Sequence, residues 1–213
     1  GKLNAIYWHH EKPKGVLLFL HGNAGNVSHT IDELTYFYNK FSMSVMAVDY
    51  RGYGKSEGEP SEKGLYDDAR AAQKWLAEKE NVKPSEIVLV GRSMGGAVAT
   101  ELATTIGARI LVLWSTFNTL PAVGHFNYPF MPTDLIMKNR FASIDKIGKF
   151  HNPVISLHGD NDDVVPLELG FKLFEKANEP KKFLKVTGGD HNMGLPPEFE
   201  FAFGQYLFNS PGI

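Results

Sequence analysis

The run Gly91-Arg92-Ser93-Met94-Gly95-Gly96 carries the clearest chemical content in this sequence. A Gly-x-Ser-x-Gly turn between a strand and a helix reverses the backbone sharply, exposes the serine hydroxyl and puts a helix amino terminus beneath it. Glycines flank the serine because side chains would clash there. A hydroxyl is a poor nucleophile at neutral pH, so Ser93 requires a base within hydrogen-bond reach and an acid that orients the base. His191, in Gly188-Gly189-Asp190-His191-Asn192, is the candidate base. Asp160, Asp162 and Asp163, all within His158-Gly-Asp-Asn-Asp-Asp-Val-Val-Pro166, compete for the acid's place. Asp160 is also suited to bracing its own turn, and Asp163 to capping the helix beyond Pro166, so residue type alone leaves the choice open. His9, His10, His29, His125 and His151 have no comparable setting and read as surface or packing residues.

Attack on a carbonyl creates an oxyanion, which preorganised backbone NH groups stabilise. The NH of Met94, directly after the nucleophile, is one expected donor. The second is expected from the loop His21-Gly-Asn-Ala-Gly-Asn26, where Gly22 lets the chain turn towards Ser93 and presents the NH of Asn23, with Ala24 as the alternative. Although rich in glycine, this loop lacks both the Gly-Lys-Ser/Thr ending of a phosphate-binding loop and the Gly-x-Gly-x-x-Gly of a dinucleotide site. His21 reads as a structural residue of the loop.

These groups need a scaffold that brings distant loops to one edge. Short apolar, β-branched runs predict strands at Leu3 to Trp8, Val16 to Leu20, Ser44 to Asp49, Ile87 to Gly91, Ile110 to Trp114, Val154 to Leu157 and Phe183 to Val186. Segments of helical period separate most of them, which is the signature of crossover units and a largely parallel sheet. Between Val27 and Phe41, Ile31, Leu34, Phe37, Tyr38 and Phe41 recur at helical spacing, and Leu65, Ala69, Ala72, Trp75 and Leu76 repeat the pattern. Helices also suit Ala97 to Thr105, Leu167 to Ala177 and Pro197 to Phe208. The serine turn, the acid cluster and His191 all fall at strand ends, where the functional loops of an open α/β sheet collect. About forty residues separate Trp114 from Val154, too many for a bare loop, so residues 116–150 are expected to form a small lid. Phe117, Phe126, Tyr128 and Met131 within it are candidate substrate-binding residues.

The chain has 213 residues, enough for one domain with a continuous core, and no Gly/Ser-rich linker divides it. A formal charge of -2 offers no basic surface for nucleic acid. The absence of cysteine removes disulfides, thiol nucleophiles and cysteine metal sites. No apolar run approaches the roughly 20 residues a membrane-spanning helix needs. The chain opens on Gly1 and enters a strand almost at once, so a leader or anchor is expected to have been trimmed, and any membrane association is assigned to such a segment. Cytoplasmic location is the default for the domain itself.

Taken together, His21-Gly-Asn-Ala-Gly-Asn, Asp49-Tyr-Arg-Gly-Tyr-Gly-Lys-Ser-Glu-Gly58, Gly91-Arg-Ser-Met-Gly-Gly, His158-Gly-Asp-Asn-Asp-Asp-Val-Val-Pro and Gly189-Asp-His-Asn resemble the α/β-hydrolase superfamily. The likeness covers nearly the whole chain and is to the small, lid-poor branch of abhydrolase-domain proteins, similar to protein depalmitoylases and prolyl-oligopeptidase-type domains. It implies a mostly parallel twisted sheet with helices on both faces, and a further strand before Leu3. In that family's His-Gly-x-x-Asp-x-x-Val-Pro pattern the triad acid falls at Asp162, which makes the implied triad Ser93, Asp162 and His191. The stretch Asp49 to Gly58 is implied to be structural, with Asp49 and Arg51 holding a turn. Asp190 and Met193 depart from the family's usual residues around the histidine.

The implied activity is cleavage of a carboxylic ester or thioester with an apolar acyl group, through an acyl-enzyme and without metal or organic cofactor. The substrate would be a small or lipid-like ester, or an acylated protein. A catalytically weak binding protein on the same fold, a peptidase, and a cofactor-free acyltransferase or haloperoxidase are the alternatives. Because a protonated imidazole cannot accept the serine proton, activity is expected to fall on acidification.

Overall fold

The computed structural model describes residues 1–209. Seven strands form one sheet: β1 Ala5–Trp8, β2 Gly15–Leu20, β3 Met43–Val48, β4 Val88–Arg92, β5 Leu111–Trp114, β6 Val154–Gly159 and β7 Lys181–Val186. Their spatial order is β1-β3-β2-β4-β5-β6-β7, with β1 antiparallel to β3 and every other pair parallel. Each lies within two residues of the run that predicts it.

The inner strands are apolar on both faces because helices cover both. Leu18, Leu20, Met46, Val48, Leu89, Leu111 and Leu113 point into a layer shared with α2 (Glu62–Glu80), α3 (Met94–Thr105) and α6 (Leu167–Lys176). Leu17, Phe19, Val45, Ala47, Val90 and Val112 point the other way, against α1 (Ile31–Phe41) and the final helix, Pro197–Asn209. On α1, Leu34, Phe37 and Phe41 are the buried stripe, and Phe37, Phe41, Phe199 and Phe203 interlock there with ring centroids 4.7–6.2 Å apart.

Two expectations are corrected. The helix read from Val27 is a 3-10 turn over Val27–Thr30 before α1 begins, because the Asn26 side chain accepts the NH of Ser28 and tightens the entry. Trp75 does not join the core face of α2; it is 45% exposed and rests edge-on against Tyr7, one residue around the helix from the buried Leu76.

Residues 116–150 contain two short helices, α4 (Leu120–Asn127) and α5 (Thr133–Ile136), and two 3-10 turns. Phe141, Ile147 and Phe150 anchor the second half of this stretch in the core.

Candidate active site

Ser93 stands between β4 and α3 with φ 52° and ψ -122°, a left-handed conformation that a serine adopts only where its surroundings enforce it. Its NH donates to the Trp114 carbonyl at 2.8 Å, and its carbonyl accepts the Thr116 hydroxyl at 2.8 Å, so β5 and the residues after it lock the turn. Gly95 is required by close approach: a Cβ there would lie 1.9 Å from the Leu20 carbonyl oxygen.

The Ser93 hydroxyl lies 3.1 Å from Nε2 of His191, and Nδ1–H of His191 donates to Oδ2 of Asp162 at 2.8 Å. The three side chains thus form one chain of hydrogen bonds across the carboxyl ends of β4, β6 and β7. Of the three competing aspartates, Asp162 alone meets the histidine in the structure. Asp160 braces its turn instead, accepting the Gly188 NH at 2.7 Å and facing Lys185 at 3.1 Å. Burial would raise the Asp162 carboxyl, but hydrogen bonds from His158, His191 and the Val165 NH outweigh it and hold the group well below the usual carboxylate range. It therefore remains ionised at neutral pH.

The loop after β2 closes the other side. Gly22 packs so near Ser93 that a Cβ on it would lie 3.2 Å from the Cβ of that residue. The Nδ1–H of buried His21 donates to the Gly22 carbonyl at 2.7 Å, and burial lowers this imidazole below its ordinary pKa, which keeps it a neutral brace. Tyr53 donates its hydroxyl to Oδ1 of Asn23 at 2.6 Å. Asp49 accepts the Val27 NH at 2.7 Å just past the loop, and Arg51 is clamped to Asp68 by two side-chain hydrogen bonds. Asn23 and Ser93 line the same cavity, and Met94 is the first residue of α3.

A cavity of about 580 Å³ opens over Ser93 and His191. It is lined by the 21–26 loop, Phe19, His29, Thr30, Arg92, Val164 and Asn192. Arg92, not singled out by the sequence, ties its walls together: it pairs with Glu33 at 3.1 Å, donates to Oδ1 of Asn192 at 3.1 Å and lies over the Trp114 ring. Its signal was position alone, as the residue just before the serine. Tyr53 lies in the Asp49 to Gly58 stretch implied to be structural, and its bond to Asn23 agrees with that. Asp190 is exposed and accepts the Asn192 NH at 2.8 Å, which closes a local turn.

The four aromatic and methionine candidates are not found in this lining. Phe117 is corrected outright: only 2% exposed, it packs in the core directly after β5 and has no face free for a ligand. Phe126, Tyr128 and Met131 project outwards. Between Phe126 and Tyr128 in the chain, the Asn127 side-chain amide donates at 3.1 Å to the carbonyl of Val164, a residue of the cavity lining.

Residues 11–128 match the family model Hydrolase_4, described as serine aminopeptidase, S33. The chain belongs to the α/β-hydrolases. This α/β-hydrolase is 42% identical over 176 residues to the uncharacterized protein Rv2307c of Mycobacterium tuberculosis, covering 83% of this chain and 62% of that one. It is 33% identical over 199 residues to alpha/beta hydrolase domain-containing protein 17B of Xenopus laevis, covering 91% and 64%. The chain therefore spans a little under two thirds of the curated relatives it matches. Among solved structures, Est1E from Butyrivibrio proteoclasticus with ferulic acid bound shares the fold, with a TM-score of 0.79 at 18% identity over 97% of this chain and 94% of that one. Among the described residues no helix is long and apolar enough to cross a membrane.

Proposed function

We propose that this α/β-hydrolase cleaves carboxylic esters or thioesters through a covalent acyl-enzyme on Ser93. The observation that carries the reading is the continuous relay from Ser93 Oγ through His191 to Asp162, at 3.1 and 2.8 Å, with the serine held at positive φ.

In this reaction Nε2 of His191 takes the Ser93 proton as Oγ bonds to the carbonyl carbon. The backbone NH groups of Asn23 and Met94 donate to the oxyanion, and Asp162 stabilises the imidazolium. Collapse breaks the bond to the alkoxide or thiolate, which receives the proton from His191. Water then attacks the acyl-enzyme, giving its proton to His191, and the carboxylic acid leaves as Oγ recovers a proton. No step calls on a metal or organic cofactor.

An apolar acyl group is the preferred substrate class. The support for it is the outward-facing run Phe126, Tyr128, Phe130, Met131, Leu135 and Ile136, which begins next to Val164 at the cavity rim. The family's description raises peptide cleavage from an amino terminus as a second reading. Such a substrate brings an ammonium group, and among the described residues the cavity lining carries no carboxylate to receive it, which favours the ester.

The test is hydrolysis of p-nitrophenyl esters of increasing chain length, with Ser93→Ala as the control. Turnover that rises with chain length and vanishes in the variant is expected. Turnover of aminoacyl anilides but no ester would favour the peptidase, and no turnover of either would favour a binding protein.

A further inference from the structure

Asp162 has a second histidine. His158 lies on β6, wholly buried, with Nε2 2.8 Å from the Val165 carbonyl oxygen and 3.2 Å from Oδ2 of Asp162. Both of those oxygens are acceptors, so the imidazole proton sits on Nε2, bonded to the Val165 carbonyl with Asp162 Oδ2 as the longer contact. Nδ1 has no hydrogen-bond partner, and Gly170 of α6 packs against it so closely that a Cβ there would lie 2.3 Å away. A proton on Nδ1 would be buried without an acceptor, which costs more than leaving a lone pair there.

The carboxylate is therefore held from four directions. Oδ1 accepts the NH groups of Val164 at 3.0 Å and Val165 at 2.8 Å, and Oδ2 faces His158 on one side and His191 on the other. Two backbone NH groups hold Oδ1, and Oδ2, which turns with it about the Cβ–Cγ bond, stands between the two imidazoles. His158 restrains the same oxygen that His191 meets, so the carboxylate is held at both ends and cannot swing away from the imidazole of His191.

We infer that His158 is a positioning residue for the proposed reaction: by donating from Nε2 to Asp162 Oδ2 and the Val165 carbonyl, it aims the carboxylate at His191 Nδ1 without touching substrate. The inference rests on the Ser93 reading above for its effect on rate, and on geometry alone for its effect on the Asp162–His191 bond.

The experiment uses the whole chain and two variants of similar volume. His158→Phe removes the donor, whereas His158→Gln can return an NH near the Nε2 position. Fluorophosphonate labelling of Ser93 should slow about tenfold to a hundredfold in His158→Phe, the size of effect expected from a small misplacement of the base, and recover most of that loss in His158→Gln. In parallel, the low-field proton resonance of His191 Nδ1–H should move or broaden in His158→Phe and return towards its wild-type position in His158→Gln. Wild-type labelling rate and an unmoved resonance in a folded His158→Phe would overturn the inference, as would a folded His158→Gln no better than His158→Phe. If His158→Phe does not fold, the nitrogen shifts of His158 in the wild-type protein decide, since a proton on Nδ1 would overturn the assignment. If the wild-type protein is not labelled at all, the Ser93 reading fails, while the resonances still judge His158.

Discussion

The loops at the carboxyl ends of the strands and the stretch from 116 to 150 are neighbours built on opposite principles. In the first, each functional group is held by several others: the Ser93 turn by β5 and Thr116, the Asp162 carboxylate by four donors, the Asn23 loop by Tyr53, Asp49 and His21. In the second, Phe141, Ile147 and Phe150 are rooted in the core, but the tip from Phe126 to Ile136 presents large apolar side chains to solvent, with Phe130 fully exposed. A reaction centre has to hold atoms to fractions of an ångström, whereas a surface that meets varied acyl groups has only to be apolar and near. If the proposed reaction is right, the contrast makes chemistry and substrate choice separable, and substitutions should separate them.

The largest effects should come from the relay. Ser93→Ala and His191→Ala should each lower kcat by about 10⁴-fold to 10⁶-fold, measured with an ester the wild type turns over. Asp162→Asn should cost about 10⁴-fold, because the amide favours the wrong imidazole tautomer. The same variant tests stability. The unfolded carboxyl titrates near 3.9 and the folded one well below the usual range. Ionised Asp162 therefore adds stability that is present above the unfolded value and lost as pH falls towards the folded one. The Tm advantage of wild type over Asp162→Asn should accordingly shrink between about pH 5 and about pH 2.

Gly95→Ala strikes the scaffold instead: its Cβ meets the Leu20 carbonyl, and destabilisation on the order of 3 kcal/mol is expected in urea titration. At the outward tip, Phe130→Ser should leave stability within about 0.5 kcal/mol of wild type. It should raise KM for long-chain esters with little change in kcat. A loss of kcat as large as that of the relay variants would erase the distinction between the two regions.

How much of this was legible in the sequence follows the same division. The inner strands could be read because they are short apolar runs, and the serine turn because glycines surround it at fixed spacing; β7, with three lysines, was legible only in its second half. The resemblance supplied Asp162, which residue type could not distinguish from Asp160 and Asp163; the structure separates them by direction, since Asp160 turns towards Gly188 and Lys185. Phe117 was misjudged because an aromatic next to a strand end reads identically whether it turns inwards or outwards. Arg92 and Tyr53 act through contacts 100 and 30 positions apart in the chain, which no local pattern encodes; His158 stands four residues before Asp162 within the His-Gly-x-x-Asp pattern, but only the fold shows that the two side chains meet.

The central claim is that Ser93 is the atom that attacks. The most direct measurement is mass-spectrometric mapping of the residue modified when the folded wild-type protein meets a fluorophosphonate. A single adduct is expected on the peptide carrying Gly91-Arg92-Ser93-Met94-Gly95, formed far more slowly in His191→Ala; an adduct on another residue, or an equal rate in that variant, would contradict the role of Ser93.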